Sequence, residues 1–188
     1  MDETIANFQR WFTEIAVNWN NCERAGQKLL ATILGNSPVA HAMCCEMGNV
    51  QLVNALNIAA DLESEGTAKA IRRFCESFER LRAYRNFVIH GLIEIPRKDH
   101  HMGHGVTTLF TESGKGSFKI GTQNVLDGDL RAVAEWLGAF TLLAEGTALA
   151  IQNDEPSPSL DKFPLPARMA KNSRNHPLLE RPPQSSPA

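Results

Sequence analysis

Four polar side chains crowd the end of one amphipathic segment: Arg82, Arg85, Asn86 and His90. Spaced at about 100° per residue on a helix, Ile71, Phe74, Phe78, Leu81, Val88 and Ile89 share a face. Arg85 falls in the middle of that face, four residues from both Leu81 and Ile89. A guanidinium set there must meet a carboxylate, a phosphate or a water-filled groove, because an unpaired buried charge is costly. Glu14 and Glu135 are the candidate internal carboxylates. Arg82, Asn86 and His90, at i, i+4 and i+8, form a neighbouring stripe. A guanidinium binds anionic oxygens through paired N–H groups, and an imidazole exchanges protons near neutral pH. The combination suits acid–base chemistry beside a phosphate. It also has a plainer account: the helix dipole favours Arg and His in a last turn by a few tenths to about 1 kcal/mol.

Other groups carry less. Asp99, His100, His101 and His104 crowd one loop, where they are candidates for a divalent ion or for plain solvation. No fourth ligand or symmetrical spacing supports a structural metal site. Gly114-Lys115-Gly116-Ser117 lacks the spacing of a phosphate-binding loop and reads as a hairpin turn. Cys22, Cys44, Cys45 and Cys75 include no CxxC pair, so they read as free, mostly buried thiols of a reducing compartment. No paired catalytic carboxylates, Ser-His-Asp order or dinucleotide fingerprint stands out, and no cofactor is implied.

The elements that position these residues are mainly helical. Phe8, Trp11, Phe12, Ile15, Ala16 and Trp19 trace one apolar stripe, continued by Leu29, Leu30 and Ile33 until Gly35-Asn36-Ser37-Pro38 breaks it. Ser37 and Pro38 are a cap and first residue for a second helical region toward Asp61, with Gly48 a candidate interruption and Leu52, Leu56, Ile58 and Leu62 its apolar side. Thr67 is placed to cap a third helix ending at His90, and Gly91 suits the left-handed position after it. Residues 92–95, 106–111 and 117–120 are strand-like. Asn124 then opens a fourth helix with Leu130, Val133, Ala134, Leu137, Phe140, Thr141, Ala144 and Ala148 facing inward. Residues 1–153 thus form one mainly all-α domain, a four-helix bundle with a small β-hairpin insertion over 91–121.

Eight of the ten prolines lie beyond residue 155. Without periodic apolar residues, 154–188 is expected to be a disordered tail, made basic by Lys162, Arg168, Lys171, Arg174 and Arg181. The whole chain of 188 residues has a formal charge of −2, so nucleic-acid contact requires a local basic patch. The acidic start reads as lacking a signal peptide, and no apolar run reaches bilayer length, so the expectation is a cytoplasmic protein without membrane contact.

Arg85-Asn86-Phe87-Val88-Ile89-His90 resembles the R-x4-6-H motif of HEPN domains, which carries a polar residue after the arginine and sits near the end of the third helix. The resemblance spans roughly residues 4–153 through helix order and this one motif; the strand-like insertion departs from the minimal bundle. It implies a metal-independent RNA endonuclease in which Arg85 holds the scissile phosphate, His90 serves as acid or base, and Asn86 orients either one. RNA contacts are expected from Arg82, His100, His101 and His104. It further implies a homodimer with two motifs facing across a two-fold axis, products ending in 2′,3′-cyclic phosphate, and an antitoxin or regulatory protein as partner. A non-catalytic dimerisation module that retains only the fold is the competing expectation.

Overall fold

The computed structural model describes residues 3–90, 92–94, 105–114 and 117–167. Helix α1 spans Glu3–Ile33, and Ile15, Trp19, Cys22, Leu29 and Leu30 of its stripe are buried. It stops in a left-handed turn: Gly35 has φ +90° and Asn36 φ +54°, and the Asn36 amide reaches back to the Ala31 carbonyl at 2.8 Å. Ser37 then caps α2 (Pro38–Cys45), accepting the Ala40 amide at 3.1 Å, with Pro38 in the first turn as its spacing predicts.

The second helical region is not one helix. It breaks after Cys45, and α3 (Asn49–Ala59) starts afresh behind Gly48, whose amide donates to the Gln51 side-chain oxygen at 3.0 Å. The described residues therefore contain five α-helices rather than the four expected. Ile58 is two residues from Leu56 on α3, about 200° round the helix, and the 3-10 turn over Ala60–Leu62 changes the phase before Leu62. Leu52, Val53 and Leu56 face inward, whereas Ile58 and Leu62, expected inside, are 71% and 78% exposed.

Helix α4 (Glu65–His90) begins two residues before Thr67, and its face of Ile71, Phe74, Phe78, Leu81 and Val88 is buried, joined by Tyr84 and Phe87. Backbone pairing after it is antiparallel throughout, in the order β1 (Leu92–Glu94), β2 (Gly105–Gly114) and β3 (Ser117–Leu126). Leu92 lies opposite Leu109, and Gly105 opposite Leu126. Asn124 belongs to β3 and does not open a helix; α5 (Asp127–Asn153) starts three residues later. Its inward residues are those read from the sequence, all buried except Thr141, which is half-buried.

The order of the cross-links gives the packing. Along α1 and α5 they advance together: Asn18 donates to the Ala134 carbonyl at 3.1 Å, Cys22 meets Thr141, and Gln152 donates to the Thr32 hydroxyl at 3.4 Å. These two helices run parallel. Between α1 and α4 the order reverses, with Trp19 stacked on Phe78 at 4.5 Å and Gly26 against Phe74, so α4 runs antiparallel to both. A Cβ on Gly26 would lie 2.9 Å from the Phe74 ring, which is why α1 carries glycine there. Among the described residues no helix is long and apolar enough to cross a membrane.

Residues 154–167 correct the expectation of a disordered tail from 154 onward. Asp154, with φ +56°, turns the chain back, and the Glu155 amide closes on the Ala150 carbonyl at 2.8 Å. The segment then lies as a strap along α4 and α5. The Ser157 and Thr67 hydroxyls share a hydrogen bond at 3.0 Å, Pro158 fits over Gly146, and Phe163 packs on Phe140. Arg80 donates to the Pro166 carbonyl, and the Tyr84 hydroxyl to that of Ala167 at 3.1 Å. Composition misled because two apolar anchors, Leu160 and Phe163, and a few backbone carbonyls meet prepared partners, which offsets the ordering entropy without periodicity. Residues 168–188, with Arg168, Lys171, Arg174 and Arg181, lie outside the described residues.

Two measurements test the strap. Ending the chain after Asp154 should cost roughly 1–3 kcal/mol through the lost Phe163 and Leu160 packing and the three hydrogen bonds to α4, lowering the melting temperature by several degrees. Tyr84 is the single tyrosine of the chain, and burial pushes its hydroxyl up to about 12. Tyrosinate absorbance should therefore appear about two pH units late. Because the folded state holds this proton more tightly, its contribution to stability is complete below pH ~10 and is lost as pH rises toward 12.

Candidate functional site

The last turns of α4 carry the motif. Burial on the α1 side sets the rotation of the helix, which places Phe87 and Val88 in the core, leaves Asn86 exposed, and holds Arg82 and Arg85 half-buried at the edge. The Arg85 guanidinium lies 5.5 Å from the centroid of the Trp19 ring, and its Nη1 donates to Asn86 Oδ1 at 3.1 Å. A cation over an indole face is held by the ring's quadrupole, and more strongly where water is partly excluded. One turn along α1 from Trp19 stands Glu23. Burial pushes its carboxyl above the ordinary glutamate range, and the Arg85 charge pulls it part of the way back.

Arg85 thus has intramolecular company that the sequence did not assign to it. Of the carboxylates expected to meet it, Glu14 accepts from Arg10 at 2.9 Å and Glu135 from Arg131 at 2.7 Å, each one turn away on its own helix. Glu23 was missed because helix rotation decides which carboxylate faces a neighbour; its spacing from Trp19, i to i+4, was the available signal. Arg82 has no ion-pair partner among the described residues.

His90 is the final residue of α4, four residues beyond Asn86 along one stripe; its backbone is described and its side chain is not. His100, His101 and His104, together with Asp99, lie outside the described residues. Among the described residues no group of three or more His, Cys, Asp or Glu side chains could hold a metal ion. The arrangement at the α4 end offers a positioned guanidinium and an exposed amide, with the backbone of a histidine one turn on.

A second aromatic–arginine group stands at the same end of the bundle. Trp11 of α1 is half-buried, with Arg10 at 4.9 Å and Arg131 of α5 at 5.6 Å from its ring centroid. Comparison of the chain with family models, with curated proteins and with solved structures finds no match.

The Glu23–Arg85 coupling has a measurable sign. By carboxyl NMR, Glu23 should titrate above an ordinary glutamate, and Arg85→Met should move it higher still, since the charge that lowers it is gone. The folded state then binds this proton more tightly than the unfolded one, so stability rises as pH falls through the Glu23 range.

Proposed function

We propose that the chain is a metal-independent RNA endonuclease of HEPN type, built on a helical arrangement whose second member is divided into α2 and α3, with the paired strands between α4 and α5 as an insertion, and working as a homodimer. The observation that carries this reading is the Arg85–Asn86 pair: the guanidinium is held over Trp19 and bonded to Asn86, one turn before His90 on the same helix. A phosphate clamp gains from such prior ordering, because little side-chain entropy remains to be lost when the anion arrives.

In this reading Arg85 binds the non-bridging oxygens of the scissile phosphate and stabilises the charge that develops there. His90 removes the proton of the ribose 2′-hydroxyl, whose oxygen attacks phosphorus while the bond to the 5′-oxygen breaks. An imidazolium, His90 of the partner subunit, returns a proton to that leaving oxygen. Asn86 orients the histidine or the phosphate, and Arg82 contacts the backbone of the RNA. Products carry 2′,3′-cyclic phosphate and 5′-hydroxyl ends. The class of such enzymes includes toxins and stress or defence ribonucleases, so an antitoxin or regulatory protein is the partner to seek. His100, His101 and His104 are assigned to the RNA groove, and the site of action is the cytoplasm.

A second reading draws on the Trp19 ring against Arg85 and on the nearby charge of Glu23, both of which give the guanidinium company within one chain. Under it the motif is an internal brace of a non-catalytic dimerisation module.

Cleavage of single-stranded RNA separates the two. Purified protein should cut it in EDTA and leave cyclic phosphate ends. His90→Ala should slow the reaction by roughly 10²–10⁴ and Arg85→Ala by about 10²–10³, with both variants folded and the wild type dimeric by light scattering. RNA left intact by a folded, dimeric wild type would establish the module instead.

A further inference from the structure

We infer that Trp11, Arg10 and Arg131 form a stacking subsite for an unpaired base of the RNA strand, next to the α4 end. This rests on the ribonuclease reading above and adds where the strand lies.

The three tryptophans of the chain divide by burial. Trp19 and Trp136 are 2% and 4% exposed and serve the core, whereas Trp11 keeps part of its ring at the surface. Two guanidinium groups from two helices lie at that ring, and their side chains are 65% and 42% exposed. Packing alone has no need of two cations at one indole. Each arginine is steered by a carboxylate one turn on, Glu14 for Arg10 and Glu135 for Arg131, so the charges of the group cancel. A neutral group is a poor general trap for phosphate, and duplex attraction through bulk charge is not its chemistry. What it offers is a partly exposed π surface flanked by N–H donors: a base stacks on the indole as the exposed Arg10 side chain swings from its place 4.9 Å over the ring to donate to a neighbouring phosphate oxygen. Bases in a duplex have no free face, so the subsite selects single strands.

The helix directions place this group beside the motif. From Trp19, beneath Arg85, α1 runs back eight residues to Trp11, about 12 Å along its axis at ~1.5 Å per residue. Helix α4, antiparallel to it, runs on five residues from Arg85 to His90, about 7.5 Å in the same direction. Arg131 is in the second turn of α5, whose start lies at this same end. Trp11 and the His90 backbone therefore differ by only about 5 Å in height, on helices that pack roughly 8–10 Å apart. A short oligonucleotide reaches both.

Binding is measured with the full chain carrying His90→Ala, so that RNA is held and not cut, using a fluorescein-labelled mixed-sequence single strand and its duplex. Adding Trp11→Ala should weaken single-strand binding about 5- to 100-fold, the usual worth of one stacked base, and leave duplex binding unchanged; Trp11→Phe should restore most of it. Arg10→Gln with Arg131→Gln, both at the surface, should weaken it several-fold and carries the test if Trp11→Ala fails to fold. Single-strand affinity unchanged in a folded Trp11→Ala variant or in the double arginine variant, while the otherwise wild-type chain still cleaves RNA, overturns the subsite alone. An equal loss on single strand and duplex overturns base stacking as its basis. A chain that neither binds nor cleaves RNA overturns the reading beneath it.

Discussion

The stack of Trp19 on Phe78, with Phe74 next in line at 5.6 Å, is the contact on which the arrangement of helices depends. Three aromatic rings can share one layer between α1 and α4 only if the backbones approach closely on one side of it, and Gly26 supplies that approach by presenting no Cβ to Phe74. Sliding α1 along α4 by a turn would drive a side chain into the Phe74 ring and leave the Trp19 face open. Aromatic pairs of this kind contribute about 0.5–1.5 kcal/mol each beyond the area they bury, but their larger effect is on register. With α1 fixed against α4, the links from Asn18 and Gln152 fix α5 in turn.

The same stack reaches the candidate site. Trp19 is a core residue on account of Phe78 and a surface residue's partner on account of Arg85. Arg85 therefore inherits the rigidity of the bundle through one indole ring, and Glu23, one turn from that ring, feels the charge. A motif read as Arg85, Asn86 and His90 of one helix has, in the folded chain, Trp19 and Glu23 of a second helix beside its arginine.

Much of this was legible in the sequence, and the limits have physical causes. The stripes of α1, α4 and α5 were plain because each is long enough for the period to declare itself. The turn at Gly35–Pro38 carries its own chemistry in a cap, a proline and a left-handed glycine. The interruption at Gly48 was legible as a candidate, but the inward face beyond it was not, because α2 has eight residues and α3 eleven, too few for phase to be fixed from pattern. Asn124 was misplaced because a cap residue type signals a helix start only where the chain leaves extended structure, and here β3 continues to Leu126. Arg85 could be recognised as out of place from its neighbours in sequence. Its partners could not, because Glu14, Glu23 and Glu135 are equally plausible until α1 and α5 acquire a rotation. The strap was invisible for a related reason: its hydrogen bonds are made by single residues whose partners lie about eighty to ninety positions earlier.

The strap also gives the bundle a direction under load. Its attachments follow one another along α4, from Thr67 near the start, past Phe140 on the facing helix, to Arg80 and then Tyr84. A pull applied at Ala167 would load the Tyr84 bond first and release the remaining attachments in sequence, peeling the strap back toward Asp154 before α5 bears tension. A pull on α1 meets the opposite geometry, since its contacts with α5 and α4 lie side by side along its length and must shear together. Between Asp154 and Ala167, then, resistance to a pull is set by the order in which attachments are met along the chain and not by how many there are.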